Sequence, residues 1–175
     1  MEEIITLIDK VIEEHKVILE RISDLEPLAN DVGAITGFRE AEDASLPISF
    51  ERKQNLPKLD RLLGAISQRL RGHFNREETA LLSGFHQHGD ARLLSAFESL
   101  LSEHEDIRNH LIRSRNRVAQ LSEDGLSRQE WEARADSMRA AMTETRELIA
   151  AHAGNEQGLL LTLRRKLLKD GKTKN

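Results

Sequence analysis

The sequence predicts an all-α fold, an up-down-up-down bundle of four helices with a long connection between the first and second. Three observations carry this reading. Apolar residues recur three or four apart in four long stretches, the spacing of one face of an α-helix. Glycine-bearing turn signals separate the second stretch from the third and the third from the fourth. Within the apolar seams, histidines and glutamates replace aliphatic residues without breaking the period.

The totals set the frame. At 175 residues the chain suits one well-buried domain, expected over residues 1–170, with 171–175 as a disordered tail. Charged residues make up 32% and apolar ones 38%, with 3 prolines, the composition of a soluble helical protein rather than a disordered one. A net charge of -4 argues against a nucleic-acid surface. The chain has no cysteine, which excludes disulfides, thiolate-ligated zinc, iron–sulfur clusters and cysteine nucleophiles. Met1-Glu2-Glu3-Ile4 opens without the basic and apolar regions of a secretory signal, and no apolar run approaches membrane-spanning length. A cytoplasmic protein with no membrane partner is the expectation.

The first helix is expected from Glu2 to about Leu28, with Ile4, Ile8, Val11, Ile18, Ile22 and Leu25 on one stripe. His15 falls inside that stripe and needs a polar partner there. From Ala29 to Gln54 the period is lost, and Gly33, Gly37 and Pro47 intervene. The segment still carries Val32, Ile35, Phe38, Leu46, Ile48 and Phe50, enough apolar surface for an ordered lid or a short extra helix; an insertion without chemical role is equally compatible.

The second helix is expected to start near Asn55-Leu56-Pro57, since proline is tolerated in a first turn. Its stripe runs Leu59, Leu63, Ile66, Leu70, His73, Glu77 and Leu81. His73 and Glu77, four apart, share one helix face; Glu78 points away and serves at most behind the ligands. Ser83 to Asp90 reads as a turn, with Asp90 capping the next helix and His86 and His88 as exposed turn residues.

The third helix carries Leu94, Phe97, Leu101, His104, Ile107, Leu111 and Val118 on one face. Arg108 shares the face of His104 and, as a cation, must meet a carboxylate, an anion or solvent, whereas His110 projects elsewhere. Ser127 and Glu130 form a capping box for the fourth helix, whose stripe runs from Trp131 through Met138, Met142, Thr145, Leu148, His152, Glu156 and Leu159 to Leu167. The basic end, Arg164 to Lys174, complements the helix dipole.

Four histidines and two glutamates thus occupy seam positions: His15, His73, Glu77, His104, His152 and Glu156. Core packing explains a lone histidine, but a shared ligand explains six coincident polar positions better, and a buried two-metal site supplies one. Height along the bundle agrees for His73 and His104, which lie about ten and about fourteen residues from the turn between them at roughly 1.5 Å per residue. His152 fits if the fourth helix overhangs its turn. Imidazole and carboxylate donors suit iron, manganese or zinc.

With those residues in place, the sequence resembles the hemerythrin-like family of HHE cation-binding domains over nearly its whole length. The resemblance implies a hemerythrin-like bundle in which Glu77 and Glu156 bridge two iron ions, joined by oxide or hydroxide when oxidised. It also implies a small diatomic ligand or peroxide as partner. Oxygen-carrying hemerythrins place a histidine four after the one in the third helix, where this chain has Arg108; that departure turns the expectation from oxygen carriage toward sensing of oxygen, peroxide, nitric oxide or iron. The alternative is a di-iron oxidase or peroxide-consuming enzyme, with Arg108 holding an anionic ligand. A helical interaction module with histidines in its core is the third reading. The sequence leaves room for a homodimer or a protein signalling partner.

Overall fold

A computed structural model of the chain describes residues 2–34, 50–123 and 125–173. The described elements are all helical: α1 Glu2–Ser23, α2 Leu25–Ala34, α3 Phe50–Arg76, a π-helical turn Glu77–Leu81, α4 Leu82–His88, α5 Ala91–Ser102, α6 His104–Leu121 and α7 Arg128–Thr173. No strand occurs among the described residues. Contacts divide the chain into two compact units. The first is built from Met1–Leu19, Gln68–Ile107 and Leu148–Asn175, and the second from Glu20–Ser67 and Arg108–Glu147.

The first unit buries a cluster of Ile4, Ile8 and Val11 from α1, Leu81 and Phe85 from the π-turn and α4, Phe97 from α5, and Leu160, Leu163 and Leu167 from α7. Phe85 and Phe97 stack with centroids 4.1 Å apart and rings nearly parallel at 5°. The second unit buries Leu25, Leu59, Leu63, Leu111, Trp131 and Met138. Its buried hydroxyls answer one another: Ser114 Oγ and Thr145 Oγ1 lie 2.8 Å apart, and Thr145 donates to the Ala141 carbonyl at 2.7 Å.

The seams of the first two helices are as expected, every residue from Ile4 to Leu25 and from Leu59 to Leu81 named above being buried. Boundaries differ in instructive ways. Helix α3 begins at Phe50 and holds Pro57 in its interior, so the missing proline N–H costs an intrahelical bond instead of falling harmlessly in a first turn. The irregular segment expected over 29–54 is helical at both described edges, and residues 35–49 lie outside the described chain. The turn expected from Ser83 shrinks to Gly89 and Asp90, and His86 and His88 are helical. Gly84 does not break the helix; it makes room, since a Cβ there would sit 2.2 Å from Ile4 Cδ1. Asp90 does cap α5, its Oδ1 accepting the Leu93 N–H at 2.9 Å.

The expected third helix is two, interrupted at Glu103, whose N–H turns back to the Leu100 carbonyl. Gly125, at φ 80°, turns the chain toward α7. Ser127 and Glu130 then close the capping box, with Ser127 N–H and Oγ donating to Glu130 Oε2 at 2.9 and 2.7 Å. Helix α7 runs to Thr173, past the point at which the sequence suggests a tail. Along it the buried stripe keeps the expected His152, Glu156, Leu163 and Leu167 but takes Ile149 and Leu160 in place of Leu148 and Leu159, each four residues after the preceding buried position Thr145 or Glu156.

Candidate metal centre

All six seam residues belong to the first unit and all are buried, none more than 3% exposed. His15 comes from the middle of α1 and His73 from the last turn of α3. Glu77 opens the π-turn, His104 opens α6, and His152 and Glu156 face inward one turn apart on α7. The fold therefore brings together every residue that the spacing selected.

They form two overlapping donor groups. One atom from each of His15, His73, Glu77 and Glu156 fits within a 4.8 Å span, and so do atoms from Glu77, His104 and His152. Glu77 belongs to both. Its Oε1 lies 2.6 Å from His73 Nε2 and its Oε2 lies 3.1 Å from His104 Nε2, so its two oxygens face different imidazoles. Glu156 Oε2 lies 2.9 Å from His15 Nε2, 4.0 Å from His73 Nε2 and 3.9 Å from His152 Nε2. The rings pair accordingly, His15 with His73 at 4.7 Å and His104 with His152 at 5.1 Å between centroids. Phe74 stacks on His104 at 3.7 Å and closes the apolar side.

These short approaches are not a satisfied hydrogen-bond network. Both Glu77 oxygens, Glu156 Oε1, His104 Nε2 and His152 Nε2 are buried without a hydrogen-bond partner. The nitrogens and oxygens converge on common points instead of aligning with one another, which is the arrangement of donors around a cation. Each orphaned group costs on the order of 1–3 kcal/mol, and a cation removes several of these costs together. The donor set, imidazole with carboxylate, fits a first-row divalent metal.

Electrostatics reinforce the point. Burial by itself raises the Glu77 carboxyl, but the His104 and His73 imidazoles close by hold it far below the ordinary carboxylate range. Burial by itself lowers His73, but Glu77, Glu14 and Glu156 hold it above its ordinary value.

A second tier of carboxylates surrounds the histidines. Glu14 Oε2 lies 3.0 Å from His73 Nδ1, Glu78 Oε1 lies 2.7 Å from His104 Nδ1, and Glu103 Oε2 lies 2.9 Å from His152 Nδ1. Arg76 binds the same oxygen of Glu14 through Nη2 at 2.7 Å and Nε at 3.1 Å. Burial raises the Glu14 carboxyl, yet His73 and Arg76 bring it below its ordinary value. The sequence reading places Glu78 behind the ligands but passes over Glu14, Arg76 and Glu103. The available signal is adjacency: each of these glutamates directly precedes or follows an inner residue, which places it just off the buried seam.

Other candidates take different places. Arg108 falls in the second unit and is half-buried, as is His110. His86 is exposed and His88 half-buried, outside both donor groups. Among the described residues no helix is long and apolar enough to cross a membrane.

A chain whose described elements are all helical and whose buried histidines and glutamates converge in two groups is, as a class, a metal-binding helical protein. Residues 6–163 match the hemerythrin HHE cation binding domain, and the chain belongs to that family. No curated protein and no solved structure matches it.

Proposed function

We propose that the chain is a non-haem di-iron protein, an up-down-up-down bundle whose site binds or senses oxygen, peroxide or nitric oxide, or iron itself. The observation that carries this reading is the pair of histidine groups sharing buried Glu77. In it, His15 and His73 would hold one ion and His104 and His152 the other, with Glu77 and Glu156 supplying the carboxylates. Bound ferrous iron would supply the electrons and the open coordination position through which such small molecules are recognised.

The residues of the chain do the rest. Two carboxylates against four neutral imidazoles leave two divalent ions under-neutralised, so the site favours an additional small anionic ligand. Exposure of 3% or less at all six residues, with Phe74 against His104, keeps bulk water from competing for that place. The outer carboxylates accept the Nδ1 protons of His73, His104 and His152, which aims each Nε2 inward. Loading therefore couples four parts of the chain, and the resulting ordering of the first unit is the signal a partner would read.

Anaerobic reconstitution with ferrous iron, with metal counting and absorption spectra before oxygen, after it and after its removal, tests the reading. Two irons per chain and reversible near-ultraviolet bands are expected. Irreversible oxidation would move the assignment to a redox sensor or to the oxidase alternative. A chain that takes up no iron would overturn the proposal.

A further inference from the structure

The outer carboxylates are distributed unequally. Both histidines of the second donor group are backed, His104 by Glu78 and His152 by Glu103. In the first group only His73 is backed, by Glu14, and the accepting oxygen is shared with the Arg76 guanidinium. Among the described residues His15 has no such partner: its Nδ1 is buried without a hydrogen bond to any of them, and its Nε2 faces Glu156 Oε2 at 2.9 Å.

We propose that the two metal positions fill in order, the His104–His152 position first, and that Glu78 and Glu103 are the positioning residues that set this order. The inference rests on the two-ion reading above. A carboxylate on Nδ1 fixes the tautomer, orients the ring and makes Nε2 a stronger donor. His104 and His152 are thus held ready for metal before it arrives.

His15 is held for the opposite state. Its contact with Glu156 requires a proton on Nε2, the atom that faces the donor group. Metal at that nitrogen displaces the proton to Nδ1, where it becomes a buried donor with nothing to accept it. An unpartnered N–H is a costlier defect than an unpartnered ring lone pair. Binding at the His15–His73 position also takes Glu156 from its only hydrogen-bonded neighbour among the inner residues. Both effects weaken the second step.

The chain order of the contacts gives the device a simple layout. Glu14 beside His15 holds His73, Glu78 beside Glu77 holds His104, and Glu103 beside His104 holds His152. Each histidine after the first is braced by the preceding stretch of chain. His15, the first, has none before it to do so.

The test is anaerobic calorimetric titration of the full chain with ferrous iron, repeated with cobalt(II) to follow each ion by its visible spectrum. The expected result is two steps of one ion each, the first at least about tenfold tighter. His15→Ala should remove the weak step and spare the tight one. Glu103→Ala and Glu78→Ala should weaken the tight step by about 10- to 100-fold, and Glu103→Gln, which keeps an acceptor for Nδ1 but not the charge, should weaken it less. Glu14→Ala should affect the weak step alone. Circular dichroism of the metal-free variants checks that each is folded, and the Gln variant stands in should the Ala variant fail. Two equal steps, one cooperative step, or equal weakening of both by Glu103→Gln would overturn the order while leaving the two-ion reading intact. No binding at all would overturn both.

Discussion

The fully buried polar side chains of the two units are closed on different terms. In the second, the buried polar side chains among the described residues are Ser114 and Thr145, and they satisfy each other and the Ala141 carbonyl. In the first, six ionisable side chains are buried and five of their atoms facing the centre have no hydrogen-bond partner. Both units are cut from the same amphipathic helices, and α1, α3, α6 and α7 each contribute to both. The difference lies in what completes the core. Hydroxyl groups are closed by protein, whereas imidazoles and carboxylates aimed at a common point are closed only by a cation.

The largest expected effect follows from Glu77, which belongs to both donor groups. Glu77→Ala should reduce the metal content from two ions per chain to at most one, read by metal analysis of the purified protein. In the unmodified chain, metal held at about 100 times its dissociation constant should raise stability by about 2.7 kcal/mol per independent site. Trp131, the only tryptophan, is buried in the second unit and offers a local probe. Chelation should loosen hydrogen exchange around His73 and His152 while Trp131 fluorescence changes little. An equal response from both would erase the contrast.

Next in size is the hydroxyl pair. Thr145→Val alone removes one partner of buried Ser114, which keeps the Ala141 carbonyl at 3.3 Å, and should cost about 1 kcal/mol in urea unfolding, with or without metal. The double variant Ser114→Ala, Thr145→Val removes both polar groups and should recover much of that loss. A metal-dependent cost would show that the second core is not self-sufficient.

The pH dependence of the metal-free chain is smaller and has a definite sign. His73 sits above its ordinary 6.5, so its contribution is complete below that value and is lost as pH rises through the raised one. Glu77 sits below its ordinary 4.5, so its contribution is complete above that value and is lost as pH falls through the lowered one. Stability in chelator should therefore be greatest between these two values and fall on either side, measured by urea unfolding over about pH 2 to 9. Metal affinity should increase over the range in which His73 loses its proton. The smallest effect is expected at the exposed pair Arg115–Asp60 in the second unit, where Asp60→Ala should cost at most about 1 kcal/mol and less in high salt.

The inner residues were legible because each one occupies a place in a helical stripe where an aliphatic residue was due. Helical phase alone puts His73 and Glu77 on one face, and the same holds for His152 and Glu156. The outer residues were not legible by that route. Glu14 and Glu103 sit one position off the stripe, where a charged residue is unremarkable and only the neighbouring helix decides whether it meets solvent or a histidine. Gly84 misled for a related reason: the sequence carries the missing Cβ, but not Ile4, which occupies its space.

Periodicity, a local property of the chain set by backbone geometry, determined that this protein is helical, that its seams hold six metal-competent side chains and that His73 with Glu77 and His152 with Glu156 each share a helix face. Tertiary packing alone decided which histidines share a group, that Glu77 joins both groups, and that His15 goes without an outer carboxylate. Those facts depend on helix rotation and on breaks at Glu77 and Glu103, where the π-turn and the interruption before α6 reset the phase. Such breaks are settled by long-range contacts, which no local repeat contains.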